Sequence, residues 1–192
     1  MGITLELKNI DKSFDGLKII NNLSFKLQKE TITGLFGENG SGKTTLFNII
    51  SGFLKPDSGE IVYKEKLLIS NYSPSEISKA GIGKVWQKPR VFMNLSLEDN
   101  LLVASTQHPG INFLNYIINP IDIFKKENSL KEKAKYLIED VGLLNDSNKV
   151  AGELSFGQQK LLSIAMLLMN DSDLLMLDEP FAGVHLKMIE HI

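Results

Sequence analysis

The sequence has 192 residues, 43% of them hydrophobic and 23% charged, with a formal net charge of −2. That balance belongs to a folded globular chain and leaves no basic footprint for nucleic acid or anionic lipid. Cysteine is absent, which excludes disulfides, thiolate metal sites and a cysteine nucleophile.

Met1 to Leu7 alternates as a strand does, so it is not read as a basic segment followed by an apolar leader. No uninterrupted apolar run is long enough to span a bilayer, and direct membrane insertion is not expected. Ile3 to Asn9 and Lys18 to Leu27 alternate with period two around an Asp15-Gly16 turn, predicting paired strands. Thr31 to Phe36 is an apolar run that predicts a buried strand.

That run enters Gly37-Glu38-Asn39-Gly40-Ser41-Gly42-Lys43-Thr44, a complete G-x-x-x-x-G-K-[ST] phosphate-binding loop, followed by Thr45 and a helix. The glycines let backbone amides approach a polyphosphate. Lys43 can reach the β- and γ-phosphates, and Thr44 can offer its hydroxyl to Mg²⁺. The helix that follows adds a favourable dipole for an anion.

Further on, Lys55 to Gly59 predicts a turn, Glu60 to Ile69 a strand, and Pro74 to Ala80 a short helix stopping at Gly81. Gly83 to Gln87 predicts a strand ending at a polar residue. Residues 96–150 read as an inserted helical region, broken at His108-Pro109-Gly110 and at Asn119-Pro120. Within it Ala134, Leu137, Ile138 and Val141 share one helical face. Ser155 is a fitting N-cap for the apolar helix after Leu154-Ser155-Phe156-Gly157-Gln158-Gln159-Lys160. Leu174 to Leu177 predicts a buried strand ending in Asp178 and Glu179. At the carboxyl end of such a strand Asp178 can hold Mg²⁺ and Glu179 can polarise an attacking water.

Taken together, the phosphate loop, Leu-Ser-x-Gly-Gln and a strand ending Asp-Glu-Pro resemble the ATP-binding cassette (ABC) ATPases over nearly the whole chain. Ser75 to Gly83, Asn100 to Ala104 and Leu154 to Lys160 are similar to the branched-chain amino-acid and urea importer ATPases. Asp178 to Val184 is also similar to the lipopolysaccharide-exporter ATPase. The resemblance implies an α/β cassette of 1–192. Residues 1–95 would form an antiparallel β subdomain and a mostly parallel phosphate-loop core, 96–150 a helical subdomain, and 151–192 the signature helix and acidic strand.

It further implies Mg²⁺-ATP hydrolysis between two cassettes, coupled to a separate transmembrane permease at the inner face of the cell membrane. Catalytic roles would fall to Glu179, Lys43 and Gln87. Nucleotide contacts would come from Phe14, Gly37 to Thr45, Ser155, Gly157 and Gln158, and metal contacts from Thr44, Gln87 and Asp178. Phe156 replaces the first glycine of the family's signature, and His185 stands where many relatives carry an aspartate. Neither His185 nor His191 is expected to be the family's switch histidine. The family continues after Glu179 through a strand ending in that histidine. The chain to Ile192 is therefore expected to lack its last core strand and to leave two central strands partly unpaired. The alternatives are an inactive fragment that at most binds nucleotide, and an ABC ATPase working outside transport.

Overall fold

β1 (Ile3–Phe14) and β2 (Leu17–Gln28) make an antiparallel hairpin, and their register closes with Phe14 opposite Leu17. Asp15 and Gly16 both have positive φ, as a two-residue hairpin turn requires. The computed structural model describes residues 2–105 and 120–180, and the chain divides into two units, Met1–Gly83 and Lys84–Ile192.

In the first unit, β1 is central. It pairs with β2 on one side and with β3 (Ser58–Tyr63) on the other, and β4 (Leu67–Leu68) completes a sheet ordered β2-β1-β3-β4. Leu5, Leu7 and Ile10 of β1 are buried, as are Ile61 and Tyr63 of β3. Helix α1 (Lys43–Ile50) buries Leu46, Ile49 and Ile50. Helix α2 (Pro74–Lys79) begins with a capping box between Ser73 and Glu76 and has Pro74 in its first turn.

β5 (Ile82–Val85), whose last residues open the second unit, forms a two-stranded sheet with β6 (Leu174–Leu177). The core of this unit is helical. Ala134, Leu137, Ile138 and Val141 of α4 (Pro120–Asp140) and its C-terminal turn cluster with Leu97 and Leu101 of α3 (Leu97–Ala104). Leu161, Leu162 and Ala165 of α5 (Phe156–Leu168) complete the cluster. The face expected from Ala134, Leu137, Ile138 and Val141 is therefore the buried one. Asn100, fully buried in α3, is satisfied: its amide donates to the carbonyls of Phe92, Leu95 and Ser96, and its Oδ1 accepts from the Phe92 amide.

Four expectations need correction. Thr31 to Phe36 is not a strand, and Ile32 and Phe36 are fully open to solvent. Among the described residues no strand pairs with it, so its apolar content has no ladder or core to join. The run Glu60 to Ile69 is broken by a turn at Lys64 and Glu65, both at positive φ, into β3 and β4. β5 stops at Val85, before Gln87. β6 is only half-buried, with Met176 its one buried side chain. The break at His108 to Gly110 and both late histidines, His185 and His191, lie outside the described residues.

Acid should loosen the first unit. Asp11 accepts hydrogen bonds from the Asn22 amide and the Ser58 hydroxyl and pairs with Lys18 at 2.8 Å. Lys18 first, then those two donors, hold its carboxyl at about 2, below the ordinary 3.8. Asp57 is lowered in the same direction by Lys12 and the Ser13 amide. A depressed carboxylate stabilises the fold above its unfolded value, and that contribution disappears as pH falls through the folded one. The melting temperature should therefore hold steady above about pH 5 and drop between about pH 4 and 2. Asp11→Asn should melt lower at neutral pH and show a shallower acid limb in a pH series of thermal melts.

Candidate functional site

The phosphate loop lies in the first unit between the solvent-exposed segment and α1. Helix α1 starts at Lys43, and its N-cap is Gly42, at φ 91°. A non-glycine residue would be strained there, and an added Cβ would also approach Ile19 Cγ2 to 3.1 Å. At Gly37 a Cβ would stand 2.6 Å from Ser41 Oγ. The first and last glycines of the motif therefore keep the loop folded closely on itself. The Lys43 ammonium donates to the carbonyls of Gly37 and Glu38, each at 2.7 Å. Lys43 is thus already laid across the loop, and an incoming phosphate oxygen would take over from carbonyl oxygens as its partner.

A cavity of about 300 Å³ adjoins the loop, bordered by Ile19, Leu23, Leu35, Gly37, Gly42 and Lys43. A larger one of about 560 Å³ lies at Lys8, Asp11 and Gly59, away from every motif residue, and has no part in this site. Thr44 is exposed at the start of α1, and Thr45 is half-buried. Phe14, at the tip of the β1–β2 hairpin, keeps 42% of its surface exposed, with the Lys12 ammonium 5.5 Å from its ring centre. That exposure leaves a ring face available for stacking.

The second unit carries the other motif residues. Gln87, beyond the end of β5, donates from Nε2 to Glu179 Oε2 at 2.9 Å, joining two sequence-predicted residues far apart in the chain. Asp178 is half-buried beside it in sequence. Lys84 feels the Asp178 charge, yet burial still holds its ammonium below the ordinary lysine value, and Arg90 pushes the same way as burial. Lys84 and Arg90 both lie over the Trp86 ring, at 4.2 and 3.9 Å from its centre.

Ser155 caps α5 as expected. Its hydroxyl accepts from the Gln158 amide, and the Gln158 side chain accepts from the Ser155 amide. Gln158 Nε2 then reaches Asp146 at 2.6 Å. Gly157 is buried, whereas Phe156 projects outward with half its surface exposed. The substitution in the signature therefore costs no core packing.

Sequence reasoning gave Lys160 no role. It follows the signature on the face of α5 that also carries Gly157, Leu161 and Ile164, and it is fully buried. Its ammonium donates to the main-chain carbonyl of Glu179. Burial lowers its pKa, against the pull of the Glu179 and Asp178 carboxylates. Glu179 itself sits at φ 49°. The left-handed region costs a non-glycine residue about 1–2 kcal/mol, and a hydrogen bond to a charged group contributes about 1.5–3 kcal/mol. The bond and the strain are thus of one order, and burial of the ammonium counts against the bond. A lysine on the inner face of an apolar helix was the available signal.

The residues fit a magnesium nucleotide by their chemistry. Among the described residues no group of three or more His, Cys, Asp and Glu gathers into a metal cage. Mg²⁺ needs none: it is commonly held by one or two protein oxygens together with water and phosphates. A hydroxyl such as Thr44 and a carboxylate such as Asp178 are ligands of that kind.

A glycine-cradled lysine before a helix, with paired carboxylates after a strand of an α/β chain, defines a phosphate-loop nucleotide-binding protein. A family model described as ABC transporter matches residues 20–182, and the chain belongs to that family. It is 33% identical over 183 residues to the high-affinity branched-chain amino acid transport ATP-binding protein BraF of Pseudomonas aeruginosa, covering 95% of this chain and 71% of that protein. It is 38% identical over 181 residues to the probable branched-chain amino acid transport ATP-binding protein LivG of Archaeoglobus fulgidus, covering 94% and 69%.

Among solved structures, a nucleotide-free ATP-binding cassette from an ABC transporter superposes with a TM-score of 0.78 at 35% identity, covering 98% of this chain and 74% of that one. The ADP conformation of an ATP-binding cassette gives 0.79 at 34% identity, covering 100% and 74%. The fold is therefore the α/β cassette that the motifs imply, and the family is one of nucleotide binders. Among the described residues no helix is long and apolar enough to cross a membrane.

Proposed function

We propose that this chain is the ATP-binding subunit of an ABC importer for branched-chain amino acids, peripheral to the membrane through a separate permease. The observation that carries the substrate class is the shared description of relatives 33–38% identical over 94–95% of the chain. The local features support the chemistry. ATP supplies the phosphoanhydride bond whose hydrolysis drives the cycle. Lys43 and the amides of Gly37 to Thr45 hold and neutralise phosphate oxygens, and Phe14 offers a stacking face to the base. Thr44 would offer a hydroxyl and Asp178 a carboxylate to Mg²⁺, and Gln87 an amide oxygen.

Glu179 orients the attacking water and accepts its proton. Its Oε2 accepts from Gln87, and the carboxylate keeps further lone pairs for water. Ser155, Gly157 and Gln158 lie at the N-terminal end of α5, the end that would meet the phosphate loop of a second cassette in an active dimer. Coexpression with its permease subunits in a membrane vesicle tests this reading. The expected result is ATP-dependent uptake of leucine, isoleucine or valine that stops when this subunit is left out. Copurification with ribosomes or DNA in place of permease would contradict it.

A further inference from the structure

We infer that Lys160 is a positioning residue for the hydrolytic step, pinning the main chain of Glu179 so that the carboxylate is held at a fixed place. The inference rests on the reading of Glu179 as the base. Three observations meet here. Lys160 is fully buried on α5, although lysine is among the residues least often enclosed. Its ammonium donates to the main-chain carbonyl of Glu179, while the carboxylate accepts from Gln87 and keeps further lone pairs for water. Glu179 holds a left-handed conformation that its residue type does not favour.

Glu179 is thus held at two points: the backbone by Lys160 from the signature helix, and the side chain by Gln87. The two contacts differ in kind. The glutamine bond is to an exposed side chain and can exchange during a cycle, whereas the lysine bond is made by a buried side chain to main chain. Lys160 follows Ser155 and Gly157 on the same helix. A shift of α5 when a second cassette engages that end would reach the Glu179 carbonyl directly, through one side chain. Whether Glu179 stands in its working position is thereby tied to the helix that carries the signature.

Lys160→Met and Lys160→Arg test this with two readouts. Methionine keeps the length and the apolar stem and removes the charge; arginine restores the donor. Hydrogen exchange is followed in the segment 174–180 and, as an internal control, in 161–168. In Lys160→Met the 174–180 segment should exchange about tenfold faster while 161–168 is unchanged, and Lys160→Arg should recover at least part of the protection. In ATP turnover, kcat of the methionine variant should fall by about tenfold to a hundredfold, as for a misplaced catalytic group, with KM within about twofold of wild type.

Unchanged exchange in 174–180 overturns the pin. Faster exchange with undiminished kcat overturns its catalytic role. General loosening, with 161–168 affected equally, makes Lys160 an ordinary core residue and also overturns the proposal. A wild-type protein that hydrolyses no ATP defeats the reading of Glu179, and the exchange comparison still decides whether Lys160 holds its backbone.

Discussion

Glu179→Gln should lower ATP turnover by about 10²–10⁴-fold, the range for losing a general base, while ATP binding is kept. The substitution isolates one function because it changes so little else. Glutamine has the same length and fills the same space. The Lys160 bond is to the main-chain carbonyl of residue 179 and does not depend on the side chain. Gln87 donates to Oε2, and an amide oxygen can still accept from it. What the variant cannot do is take a proton from water near neutral pH. Turnover and ATP binding measured side by side separate the two outcomes: binding kept with turnover lost is expected, and undiminished turnover removes Glu179 as the base.

Lys43→Met should weaken ATP binding by at least about tenfold, since one charge-assisted hydrogen bond contributes about 1.5–3 kcal/mol and 1.4 kcal/mol is a factor of ten. Its effect on stability should be small. Lys43 bridges the carbonyls of Gly37 and Glu38, both on exposed residues. Water can replace the ammonium at those oxygens, so no buried group is orphaned. A nucleotide titration and a thermal melt on the same variant check both halves. Equal affinity for ATP in the variant and the wild type would place the phosphates away from this loop.

These effects follow from motifs that are local in sequence, and local patterns were the most legible part of the chain. The β1–β2 hairpin announced itself by alternation around Asp15-Gly16, α2 by Pro74 at its start and Gly81 at its stop, and α5 by its Ser155 cap. Gln87 and Glu179 share a site only through the family resemblance, and nothing local to either residue announces the bond between them. Short apolar runs were less legible because their environment depends on what packs beside them. Thr31 to Phe36 and Leu174 to Leu177 both predict buried strands, yet only the second forms one. Nothing within either run says which one finds a pairing neighbour. Lys160 was missed for the opposite reason. A charged residue is placed in solvent by default, and only its position on the apolar face of α5 spoke for burial.

Mg²⁺-dependent ATP binding and hydrolysis by the purified chain, with Lys43→Met and Glu179→Gln alongside, decide whether the phosphate loop and Glu179 work as a nucleotide-hydrolysing site. Saturable ATP binding that Lys43→Met weakens is expected, with phosphate release that requires Mg²⁺ and that Glu179→Gln lowers by at least about 10²-fold. No saturable ATP binding, or phosphate release undiminished by loss of the Glu179 carboxylate, would contradict that reading of the site.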